Sequence, residues 1–143
     1  MLYREKSAWI CLAATLLIFI PYFGHVLQLF ANSQLTGGVV LDYFLAALFG
    51  QAMLTLVAHV VISVRAKREK ADERDAAIEA RSVRVSYWVL TVMMWTLITC
   101  IPIPSVAGHV LTPLFISQLL LLAWVLGEVG KYLTLVVSYR RGY

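Results

Sequence analysis

The sequence predicts an all-α membrane protein: a four-helix transmembrane bundle, running up-down-up-down, in a single transmembrane domain over residues 1–143. Three observations carry this. The 143 residues are 61% hydrophobic and 14% charged, with a mean hydropathy of +0.80, which leaves too little polar surface to clothe a water-soluble domain. Four apolar runs, at about 8–30, 39–64, 85–103 and 113–138, reach the roughly 20 residues that a helix needs to cross a bilayer. Eleven of the 12 Lys and Arg residues fall on one side of those spans.

Arg4 and Lys6 precede span one, Arg65, Lys67, Arg68, Lys70, Arg74, Arg81 and Arg84 lie between spans two and three, and Arg140 and Arg141 close span four. The opposite loops, 31–38 and 104–112, carry no Lys or Arg. The positive-inside rule then places both termini and the Arg65–Arg84 loop in the cytoplasm, with the chain integral to a prokaryotic cytoplasmic (inner) membrane. The net charge of +4 is mostly this topogenic excess; it points to the lipid bilayer and its anionic headgroups as partners, and to no nucleic acid.

Span one could pass for a signal peptide. Its apolar run is too long for one and no small-x-small cleavage site follows, so an uncleaved span is expected. Trp9, Trp88 and Tyr139 suit an aromatic belt at the cytoplasmic side, and Tyr22 and Tyr43 one at the other. Cys11 and Cys100 fall at different depths, beyond disulfide reach. Pro102 and Pro104 end span three, and Pro113 suits the first turn of span four.

The stretch Asp72-Glu73-Arg74-Asp75 reads as a helix start, with acids complementing the helix dipole, so span three should begin as a helix in the cytoplasm. These four residues are either a solvated helix start or a docking surface for a cytoplasmic partner. Together with Ser86-Tyr87-Trp88-Val89-Leu90 further on, they resemble a group of small prokaryotic four-span membrane proteins, uncharacterised in activity, in which an acidic D-E-R-type motif precedes the third span. The resemblance covers about 20 residues and implies the four-span fold but no activity, cofactor or site.

The halves echo each other. Ala46-Ala-Leu-Phe-Gly50-Gln51 parallels Ala123-Trp-Val-Leu-Gly127-Glu128 as A-x-x-x-G-[QE], and Gly24-His25-Val26-Leu27 parallels Gly108-His109-Val110-Leu111. Chance similarity in an apolar chain and two related helical hairpins both account for this. Ala46 with Gly50, and Ala123 with Gly127, are small-xxx-small pairs through which spans two and four are expected to pack.

Glu128 and Lys131 lie one turn apart in span four. Charged groups at bilayer depth cost roughly 2.5–3.5 kcal/mol each on insertion scales and normally face a protein interior or a water-filled cavity. At about 100° per residue, they share an arc of roughly 140° with Ala123, Gly127, Thr134 and Ser138. Gln51, Thr55 and His59 form a second stripe at i, i+4, i+8, which Ser63 continues. The five residues Glu128, Lys131, Gln51, Thr55 and His59 compose an intramembrane polar path of the kind that relays protons or ions. The alternative is that Glu128 and Lys131 neutralise each other and lock helix register.

No cofactor is expected, and no enzyme. The chain has no His-Glu-x-x-His, no phosphate-binding Gly loop, no Gly-x-Ser-x-Gly and no Cys-x-x-Cys. His25 and His109 are weak metal candidates at similar depth, and more simply interfacial histidines; haem or quinone redox is the least favoured reading. Two functions remain: transport or conduction of protons, ions or a small solute along the polar path, or a non-transporting membrane subunit, sensor or immunity-type protein acting through a cytoplasmic or membrane partner. The charge bias implies one insertion direction, so any homodimer should be parallel.

Overall fold

The computed structural model describes residues 3–34, 36–65, 73–101 and 112–141. They form four helices, α1 (Tyr3–Ala31), α2 (Gly37–Arg65), α3 (Glu73–Cys100) and α4 (Pro113–Arg141). All four are long and apolar enough to cross a membrane. At 1.5 Å per residue, 28 or 29 residues reach about 42 Å, well beyond the roughly 30 Å of a hydrocarbon core. Each expected span sits inside a helix, apart from the far end of the third. That helix starts at Glu73, with Glu73 and Asp75 in its first turn. Asp72, Pro102, Pro104, His109 and the side chain of Ser63 lie outside the described residues.

The helix ends show why the chain turns where it does. At the end of α1, Gln34 N donates to Leu29 O (2.9 Å) and Ser33 N to Phe30 O (3.1 Å). This is the Schellman arrangement, and Ser33 takes its left-handed position at φ 55°. At the start of α4, Thr112 Oγ1 accepts from Phe115 N (3.2 Å), so Thr112 is the N-cap and Pro113 the first helical residue.

Consecutive helices run antiparallel, and around the bundle they stand in the order α2, α1, α4, α3. Helix α1 is sandwiched between α2 and α4, while α2 and α3 form the two edges. The α3–α4 seam is the tightest. A Cβ built on Gly127 would stand 3.2 Å from Ser86 Oγ and 3.5 Å from the Ser86 carbonyl oxygen, and one on Gly130 3.5 Å from Val89 Cγ2. Ala123 and Ser82 are fully buried beside it. Small residues on both helices let the backbones approach, which is how helices gain contact where lipid supplies no hydrophobic drive. Towards the uncharged end, Phe19, Tyr22, Val26, Ala47 and Val125 make an apolar core shared by α1, α2 and α4. The outer face of α2, with Leu45, Phe49, Met53 and Val60, is exposed, as suits a helix that meets lipid on most of its circumference.

Three expectations change. Spans two and four do not pack through their small pairs. Gly50 instead meets Ile18 of α1, with 3.7 Å to a built Cβ, Ala46 is exposed, and its neighbour Ala47 is the buried residue. Ala123 and Gly127 serve α3. Each glycine thus closes its own hairpin, and α1 occupies the place expected for a direct α2–α4 contact. Nor is the packing two-fold, because the α1–α4 interface has no α2–α3 counterpart of similar extent. Tyr22, expected in an aromatic belt, is 6% exposed; Trp9, Tyr43 and Trp88 are exposed as the belt requires.

Replacing Gly127 by Leu should force α3 away from α4 and lower stability by about 1–3 kcal/mol. Gly24→Leu, where nothing lies within 4 Å of the built Cβ, should change it by no more than about 0.5 kcal/mol. Denaturation in micelles of the two variants beside wild type checks both.

Candidate functional site

Helix α1 places a stripe of polar and small side chains, Ser7, Cys11, Thr15 and Tyr22, along the face that α2 and α4 share. Three hydrogen bonds rise along it. Near the basic end, Ser7 Oγ and His59 Nε2 of α2 are 3.1 Å apart. About 12 Å higher, eight residues on, Gln51 Nε2 of α2 donates to Thr15 Oγ1 (3.1 Å), which itself donates to the Cys11 carbonyl (2.9 Å). Higher still, Tyr22 OH donates to Gln118 Oε1 of α4 across 2.7 Å. A helix whose polar groups lie in hydrocarbon must satisfy them against a neighbour, and α1 is the neighbour for both sides.

Between α2 and α4, over the surface of α1, lies a groove. Its inner part is a cavity of about 530 Å³ whose polar lining is Thr15, Gln51, Thr55, His59, Glu128 and Tyr132, with Phe19 and Trp124 among its apolar walls. An adjoining cavity of about 480 Å³ shares Thr55, His59 and Tyr132 with it and continues past Lys131 to Ser7, Glu79 and Tyr139 at the basic end. All five residues of the expected polar path therefore line one groove. Towards the uncharged end, the T-shaped contact of Phe19 with Trp124 (6.3 Å between centroids) and the buried Tyr22–Gln118 bond separate this groove from a further cavity of about 330 Å³ between α2 and α4, lined by Val40, Leu41, Phe44, Gln118 and Leu121 among others.

Glu128 and Lys131 pair at 3.6 Å with side chains 24% and 29% exposed, and Lys131 Nζ stands 5.3 Å from the centre of the Tyr132 ring. Two oxygens on the facing α2 wall, Gln51 Oε1 and Thr55 Oγ1, are buried with no hydrogen-bond partner among the described residues. Burial of such groups costs about 1–3 kcal/mol unless something satisfies them. His59 has an assignable tautomer. Its Nδ1 is 2.9 Å from the Thr55 carbonyl, which can only accept, so Nδ1 carries the hydrogen. Nε2 then accepts from the Ser7 hydroxyl when the ring is neutral and donates to it when the ring is protonated.

The other expected site residues fall elsewhere. Asp75 accepts from Tyr139 OH of α4 (3.2 Å), which ties the start of α3 to its own bundle; Glu73 and Arg74 are exposed beside it. The His25 ring stacks on Tyr43, 4.5 Å between centroids. Cys11 and Cys100 are both free thiols. Reading the sequence for an α2–α4 interface missed Ser7, Thr15, Tyr22, Gln118 and Tyr132. The α1 members were visible in principle as residues 7, 11, 15 and 22, a helical stripe inside an apolar span.

Searches of protein-family models, curated proteins and solved structures find no match to this chain.

The Tyr22–Gln118 bond is open to a direct test. A double-mutant cycle with Tyr22→Phe and Gln118→Leu should give a coupling of about 0.6–1.7 kcal/mol, the range for interhelical bonds in membrane proteins, with Tyr22→Phe alone destabilising because it leaves Gln118 Oε1 buried and unmet.

Proposed function

We propose that the chain is a small membrane protein that moves protons, an ion or a small polar solute along the α1–α2–α4 groove, with its basic end in the cytoplasm. One observation carries this reading. Glu128, Gln51, Thr55 and His59 line a single cavity, and two buried oxygens of the α2 wall, Gln51 Oε1 and Thr55 Oγ1, have no hydrogen-bond partner among the described residues. A purely structural ion pair needs no such cavity. It would be buried against well-packed neighbours that exclude water from it.

The geometry suggests a division of tasks. Glu128 is the charged anchor at mid-depth, balanced by Lys131 one turn nearer the basic end. Gln51 Oε1 and Thr55 Oγ1, closed off from solvent in this arrangement, become acceptors for a cation, a hydronium or a hydroxyl-bearing solute once a movement of α2 uncovers them. His59 and Ser7 form the gate towards the basic end, held by the contact between Ser7 Oγ and His59 Nε2. Phe19, Trp124 and the Tyr22–Gln118 bond close the opposite end, so that transport requires this apolar plug to move.

The test is proton and ion flux in proteoliposomes for wild type and Glu128→Gln, with both melted thermally to check folding. Flux in wild type should fall at least about tenfold in a variant that melts within a few degrees of it. Absence of flux in both, or a variant that melts earlier but conducts normally per folded molecule, would reassign the pair to helix register. The search for function would then move to a partner at the Glu73–Arg84 end of α3.

A further inference from the structure

The α3–α4 seam opens at its basic end into another cavity, of about 470 Å³, which shares no lining residue with the polar groove. Arg141 of α4 lies at its basic end, with Ser138 and Val137 about one turn deeper. Arg81 of α3 stands level with Leu133 and Thr134, about two turns deeper than Arg141 along α4, and Val85 beyond it packs beside Gly130. Both arginines are exposed, and neither forms an ion pair with a described residue. Arg140, next in sequence to Arg141, is turned the other way. It lies 3.6 Å from the buried Glu5 of α1 and 5.2 Å from the centre of the Trp9 ring. Successive residues of α4 thus divide their work: Arg140 binds the bundle together, and Arg141 joins Arg81 over an open cavity.

This cavity combines charged, polar and apolar lining. One guanidinium group stands at the basic end and the other about two turns deeper, neither ion-paired with a described residue; the hydroxyl groups of Ser138 and Thr134 lie along the wall between and beside them, and the deepest lining residue, Val85, is apolar. The Thr134 hydroxyl is already committed to the Gly130 carbonyl (2.7 Å), so the arginines are the principal donors. Planar guanidinium forks suit phosphate oxygens. Leu133 and Val137, 49% and 39% exposed, carry the apolar wall out to the lipid-facing surface. A soluble phosphate ion would use the arginines and leave the apolar walls unmet, whereas a phospholipid uses both. We propose that the α3–α4 cavity binds one anionic membrane phospholipid, with its phosphate between Arg81 and Arg141 and its acyl chains over Val85, Leu133 and Val137. A zwitterionic lipid brings its own cation against the arginines and fits less well.

Native mass spectrometry of the full chain in detergent, titrated with dioleoylphosphatidylglycerol or dioleoylphosphatidylcholine, tests this. Wild type should retain one phosphatidylglycerol at least about tenfold more tightly than phosphatidylcholine. Arg81→Gln with Arg141→Gln should weaken that binding by about tenfold or more, as expected for two cationic groups. Lys6→Gln with Arg84→Gln removes the same charge from the same end but outside the cavity, and should leave binding within about twofold. Equal losses in the two double variants would reduce the effect to general surface charge and overturn the site. Equal binding of the two lipids would overturn it as well. Displacement of the lipid by millimolar inorganic phosphate would assign the arginines to a soluble anion instead. The lipid selectivity of wild type is measured without any variant, so a variant that folded poorly would not leave the proposal untested.

Discussion

Everything in this fold follows from where α1 puts its polar face. In hydrocarbon an unpartnered hydroxyl or amide has no water to fall back on, so each polar side chain in a span must find another. Helix α1 answers this with Ser7, Thr15 and Tyr22 on one shared face. These residues engage His59 and Gln51 of α2 on one side and Gln118 of α4 on the other. The bonds individually contribute little, about 0.6 kcal/mol on average in such settings, but they fix which helices are neighbours and in what register. With α1 in the centre, α2 and α4 stand apart above it, and the groove is the space between them.

The two sides of α4 are consequently different. Towards α3, the small residues Gly127 and Gly130 meet Ser86, Val85 and Val89 in a close seam. Towards α1, aromatic and polar side chains hold the helices further apart and leave room. Glu128 sits one residue beyond Gly127, about 100° around the helix, so the residue that draws α3 in and the residue that faces the groove are adjacent in sequence and opposite in role. The ties at the basic end act on the same helix. Asp75 with Tyr139 and Glu5 with Arg140 clamp the end of α4 to α3 and α1 alike, so that the groove is framed by a helix held on both flanks.

Much of the fold was legible in the sequence, and for plain reasons. Span length, apolar composition and one-sided basic residues are properties of a segment taken alone, and the bilayer reads them segment by segment. The Glu128–Lys131 pair and the Gln51, Thr55, His59 stripe were legible likewise, as helical spacing within one span. What could not be read was which span faces which. The echo around Gly50 and Gly127 suggested a contact between α2 and α4, yet a glycine records only that some backbone approaches, not whose. The α1 stripe went unseen because serine, threonine, cysteine and tyrosine are common in membrane helices and their spacing stands out little against an apolar background. Once α1 is known to be central, those residues explain why Gln51 and Glu128 share a cavity without touching.

A groove of this kind raises the question of why it is not simply filled. Substituting leucine for Gln51 or Glu128 would remove the cost of burying polar groups, and apolar replacements of buried ion pairs often stabilise a protein. Instead the α2 wall keeps two oxygens without a partner among the described residues, and the α4 wall keeps a carboxylate that is about one quarter exposed. The aromatic plug of Phe19 and Trp124 lies directly above, where tighter packing would have closed the cavity altogether. The stability forgone is therefore concentrated in one place, between two helices of which one, α2, is held mainly by α1. That helix is the least anchored of the four, and it carries Gln51, Thr55 and His59. A movement of α2 against α1 would break and remake the Thr15–Gln51 and Ser7–His59 bonds together, opening or closing the groove without disturbing the α3–α4 seam.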